Sequence, residues 1–127
     1  MFGNKSDHGK NDKVREQLER GDGQRAWAVI VDYHSRYGSG RYSGVVPKDM
    51  VDHAKLSLRV EPEGQAPFEA TVHASFSSRS PRAGGSIGVI FDPHDRSKLA
   101  VCPEWAYAPE SVGKPRTQEM IAAFLSR

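Results

Sequence analysis

The chain has 127 residues, 37% of them hydrophobic, and 18 basic against 16 acidic side chains for a formal net charge of +2. This length fits one compact domain, and the near-balance of charge excludes binding to nucleic acid or anionic lipid through bulk charge alone. Cys102 is the only cysteine, which excludes an internal disulfide and fits a small buried side chain in a reducing compartment.

The N-terminal stretch "MFGNKSDHGKNDKVREQLERGDGQ" has no apolar core of the secretory type and no glycine at position 2 for myristoylation. No run of 18 apolar residues follows, so no helical membrane span and a cytoplasmic location are expected. Residues 1–12 are polar and read as a mobile tail. A short helix is expected over "NDKVREQLERGDG". Asn11 or Asp12 can cap it, Glu16 and Arg20 pair at four-residue spacing, and Gly21 can close it in a left-handed conformation. Only Val14 and Leu18 are apolar on its face, so this helix must dock to persist.

The period then changes from 3.6 to 2. "RAWAVIVDYH" groups Trp27, Val29, Val31 and Tyr33 on one side and the small or mixed Ala26, Ala28, Ile30 and Asp32 on the other. "AKLSLRVEP" turns Leu56, Leu58 and Val60 inward and Lys55, Ser57 and Arg59 outward. "PFEATVHASF" sets Phe68, Ala70, Val72, Ala74 and Phe76 against Glu69, Thr71, His73 and Ser75. "SIGVIFD" and "KLAVC" contribute Ile87, Val89, Phe91, Leu99 and Val101. Strict alternation is what a strand with one buried face produces. The expected fold is therefore mainly β: a small five-stranded antiparallel β-barrel or curled sheet with short N- and C-terminal helices. Its expected divisions are a polar tail and helix over 1–22, the barrel over 23–103, and a tail and helix over 104–127.

That last tail carries Pro103, Pro109 and Pro115, which disfavour regular structure. "TQEMIAAFLSR" then reads as a closing helix with Thr117 as its cap. Met120, Ile121, Phe124 and Leu125 form its apolar stripe. They suit a lid over the barrel's open end, or an interaction helix for a protein partner or a homo-oligomer.

Four features of the sequence bear on chemistry. "FDPHD" (91–95) joins two strands, and Asp-Pro opens a tight turn in which the Asp92 carboxylate can accept a bond from the amide two residues on. A metal reading through Asp92, His94 and Asp95 has too few ligands for a hard cation or for zinc. "RAGGSIG" matches neither phosphate-binding glycine pattern and leads into a strand, so it reads as a glycine hinge, with Gly88 marking a bulge or bend. Histidines 8, 34, 53, 73 and 94 are scattered, and no nucleophile motif occurs. The reading is non-enzymatic, with no cofactor and no metal.

The segment from Gly23 to Val101 resembles an uncharacterised domain family of actinobacterial proteins. The residues that carry the likeness are "GQRAWAVIVD", "LSLRVEPEGQAPFEATV" and "GGSIGVIFDPHDRSKLAV". They include the Pro-aromatic-Glu-Ala-Thr and Val-x-aromatic-Asp-Pro-x-Asp motifs of that family. The resemblance implies the same strands and turns and brings no catalytic residues. Some relatives add membrane helices or a short C-terminal helical domain. Residues 35–44 and the proline-rich tail depart from the family pattern.

One polarity stands out. With strands alternating up and down, the loops after the first and third strands share one end. That end holds Arg36, Arg41, Lys48, Arg79 and Arg82 against Asp49 and Asp52, for a net of +3. The other end holds Glu61, Glu63, Asp92 and Asp95 against Arg96, for a net of −3. Tyr37 and Tyr42 stand among the arginines, and phosphate-binding arginine beside a stacking ring is a combination that single-stranded nucleic-acid binders use on small barrels of the OB type. The expected function is a binding or scaffolding module. It would make contact through Arg36, Tyr37, Arg41, Tyr42, Lys48, Arg79 and Arg82, or through the C-terminal helix. Nucleic acid is among the candidate ligands.

Overall fold

A computed structural model of the chain describes residues 2–35, 51–77, 81–107 and 118–126, and the side chains of all these except 2–9, 51, 52, 77 and 118–120. Helix α1 (Phe2–Arg20) precedes strands β1 (Gln24–Ser35), β2 (Val51–Glu61), β3 (Phe68–Ser77), β4 (Ser86–Asp92) and β5 (Asp95–Tyr107). Helix α2 (Gln118–Leu125) ends the series.

The strands form one antiparallel sheet in the order β3-β2-β1-β4-β5. This corrects a simple weave of adjacent neighbours: β4 pairs with the far side of β1, not with β3. The alternation of direction survives, because β4 is antiparallel to β1 as well. The sheet curls until its edge strands approach, with the Phe68 ring 5.1 Å from Phe91 and the Arg96 guanidinium 4.4 Å over Phe68. Burial drives the curl. Alternate residues of all five strands fill one inner cluster that includes Ile30, Leu56, Leu58, Val60, Phe76, Val89 and Val101.

The inner face of β1 is its small side, Ala26, Ala28 and Ile30, while Val31 is 60% exposed. Val31 is a β-bulge: pairing passes from Ile30↔Leu58 directly to Asp32↔Ser57. One extra residue inverts the phase, so Trp27 packs outside and Tyr33 packs inside, 6.1 Å from Phe76. Period 2 alone puts those two rings on one side.

A second cluster lies on the outer face of β4 and β5. Ile90, Ala100 and Cys102 pack there with Leu18 of α1 and Phe124 of α2. Two expected extents are corrected by it. Helix α1 begins at Phe2, not near residue 11, since a helix whose C-terminal half is docked adds turns at little cost. Strand β5 runs on through Pro103 to Tyr107, past the residue-103 boundary. Pro103 is accommodated where the register jumps from Gly88↔Cys102 to Ile87↔Ala106, so its missing N–H breaks no ladder bond. Helix α1 closes through Gly21 N–H to Gln17 C=O (3.1 Å) and Gly23 N–H to Leu18 C=O (3.0 Å). Among the described residues the left-handed glycines are Gly64 and Gly84, not Gly21.

Candidate functional site

At one end of the sheet β1 and β3 finish while β2 and β4 begin. The turn into β4 is fixed there by the backbone. Gly84 N–H donates to Ile30 C=O at 2.7 Å, and Ile30 N–H donates to Gly85 C=O at 2.8 Å. Gly84 has φ +90°, which favours glycine. This is the glycine hinge read from "RAGGSIG", and it holds the exposed Arg82 at the sheet's end. Arg36, Tyr37, Arg41, Tyr42, Lys48 and Arg79 lie outside the described residues. Two polar pairs flank the same end: His34 Nε2 with Asp32 Oδ2 at 2.5 Å, and His53 Nδ1 with Ser75 Oγ at 2.8 Å.

The opposite end is built from two turns. Asp92 Oδ1 accepts the His94 N–H at 2.8 Å, the local bond expected of Asp-Pro at a tight turn. Asp95 Oδ1 accepts both the N–H and the hydroxyl of Ser97 (3.2 and 2.6 Å), and these bonds hold its carboxyl below the usual carboxylate range. Arg96 Nη2 donates to Gln65 Oε1 of the β2–β3 turn at 3.3 Å, which ties the two turns together. "FDPHD" is a turn. Among the described residues no three His, Cys, Asp or Glu side chains gather as metal ligands.

A cleft of about 710 Å³ opens between α1, β3 and the β4–β5 hairpin. Val14, Leu18, Val72 and Leu99 line it along with Lys10, Lys98, His73, His94, Asp22 and Asp92. Its parts come from three separated segments, so no local pattern announces it. Beside it Asn11 is buried in mid-helix. Its Nδ2 donates to Val101 C=O at 3.2 Å, and its Oδ1 accepts the Val101 N–H at 2.9 Å. A side-chain amide thus replaces the next strand along the edge of β5, a role hidden behind the more familiar one of helix cap.

Between α1 and β5 runs a charged seam. Arg15 grips Glu104 with Nη1 and Nη2 and donates from Nε to Glu19, which also accepts from Arg25 at 3.2 Å. The hydrogen bond to Glu104 is the main reason the Arg15 pKa is raised further. Cys102 lies fully buried nearby, and burial pushes its thiol up to about 11, so it is protonated at neutral pH and a poor nucleophile.

The C-terminal stripe is partly spent within the chain. Phe124 is 0% exposed, while Ile121 and Leu125 are half-buried. The Phe124 ring sits 4.8 Å from Trp27 and 5.3 Å from Trp105, with the Arg25 guanidinium 5.5 Å from its centroid. Gly88 is what makes the seat: a Cβ there would lie 2.7 Å from the Phe124 ring. Helix α2 therefore lies on the outer face of the sheet and not over an open barrel end. The Met120 side chain and Thr117 lie outside the described residues.

No protein-family model matches the chain, and neither a curated protein nor a solved structure is detectably similar to it. No helix among the described residues is long and apolar enough to cross a membrane.

Proposed function

We propose that the chain is a non-enzymatic binding module that holds an anionic partner at the end of the sheet where β1 and β3 finish. The observation that carries this reading is strand direction. Segments 36–50 and 78–85 both join strand ends on that side, and between them they contain every basic residue of the expected contact set. The opposite turns are acidic and fastened to each other, so an anion is repelled there and drawn to the arginine-bearing end. A single-stranded nucleic acid is the second reading. It is favoured by the strand order, a three-strand meander plus a hairpin added across β1, which is a Greek-key arrangement of the kind oligonucleotide-binding barrels have.

Titration of the chain with a fluorescent oligothymidylate and with polyglutamate, at several salt concentrations, tests both readings. If four phosphates are neutralised, the affinity for the oligonucleotide falls on the order of 50-fold between 50 and 200 mM salt. Replacing Arg36, Arg41, Arg79 and Arg82 by alanine weakens binding and flattens that slope. Equal binding to polyglutamate makes the ligand a generic polyanion. Binding that ignores both salt and the four substitutions, or no binding to either probe at low salt, defeats the proposal.

A further inference from the structure

We propose that the pocket over Gly88 receives the C-terminal helix in trans as well as in cis, so that a second copy of the chain can supply α2 and the two copies exchange helices. This goes beyond anion binding and rests on different residues.

The seat is a socket for a single ring. Phe124 occupies the space left by the missing side chain of Gly88, between Trp27 and Trp105 and beneath Arg25. Helix α2 has eight residues, fewer than an isolated helix needs to hold its shape in water. It therefore folds as it docks, as a recognition peptide does. The tether makes exchange available. Strand β5 ends at Tyr107 and α2 starts at Gln118, with ten residues between them. The Tyr107 ring is 5.7 Å from Trp27, the same ring that Phe124 touches, so in cis β5 ends and α2 docks at one cluster. Ten extended residues span up to about 35 Å, ample to reach a neighbouring copy. Cis and trans docking make the same contacts, so what favours cis is the effective concentration of a short tether, about 1 mM. Exchange is expected where the chain is crowded to that level.

Two full-length variants separate donor from acceptor. Phe124→Ala keeps the socket and loses the plug, and Gly88→Leu fills the socket and keeps the plug. At about 1 mM each, by light scattering after size exclusion, neither variant alone is expected to pair, whereas their mixture gains mass toward a heterodimer. A mixture that stays monomeric, or a single variant that dimerises as well as the mixture, overturns the proposal. Should Gly88→Leu not fold, a peptide of residues 117–127 is added to the Phe124→Ala chain while tryptophan emission is followed. A saturable change is expected, at least tenfold weaker when the peptide carries alanine in place of Phe124. Equal responses to the two peptides overturn the idea as surely.

Discussion

The two faces of the curled sheet are held in different ways. The inner face is aliphatic and continuous, contributed by alternate residues of five strands. Over β1, β4 and β5 the outer face is covered by two helices, of which α1 also reaches β3, and they use a few specific devices: an amide on a strand edge, a guanidinium clasp, and a ring over a glycine. Over β2 and β3 it carries Lys55, Arg59, Glu69, Thr71 and His73 in solvent. The inside is thus specified by pattern, and any apolar residue of similar volume serves there. The outside is specified by individual partners distant in sequence, and there chemical identity matters more than hydrophobicity.

Three substitutions sharpen or break that contrast. Leu56→Ala, at a fully buried inner position, is expected to cost about 3 kcal/mol in urea unfolding, with the transition still cooperative. A loss under about 1 kcal/mol would mean that the inner cluster is loosely packed. Asn11→Ala removes a donor and an acceptor from the backbone of Val101 and is expected to cost about 2 kcal/mol. Hydrogen exchange should show faster exchange at Val101 in that variant, with the amides of β2 unaffected. Unchanged protection at Val101 would mean that water serves the edge as well as Asn11 does. Glu104→Gln leaves a neutral acceptor for Arg15 at the half-exposed end of the seam, so the expected loss is smallest, about 0.5 kcal/mol, and should shrink further in high salt. A salt-independent loss of several times that size would make the seam part of the core.

The same contrast explains what could be read in advance. β2 and β3 alternate without interruption, and every expected inward residue from Leu56 to Phe76 lies in the inner cluster or packs against it. β4 needed only its two flanks, Gly84-Gly85 before it and the Asp-Pro turn after it. β1 misleads because its buried side is two alanines and one isoleucine, while the bulkier side carries Trp27 toward α2. Asn11 resembles a cap because asparagine favours helix starts, and nothing local tells that Val101 lies against it. For Phe124 the signal was present in two halves, a glycine in mid-strand and an aromatic residue on a short helix, but their meeting depends on tertiary structure. Of the expected arginine-bearing end only Arg82 is among the described residues, exposed just before β4, and what the fold adds to the charge asymmetry of the sequence is strand direction.

Val31 has an implication for how the chain tolerates change in length. Deleting one residue from a strand ordinarily turns everything downstream inside out, hiding charges and exposing core. At this position the opposite holds: Ile30 and Asp32 already face consecutive partners, Leu58 and Ser57, so excising Val31 leaves both faces as they are. The strand carries one spare residue, and β1 can be shortened there at the expense of local twist alone.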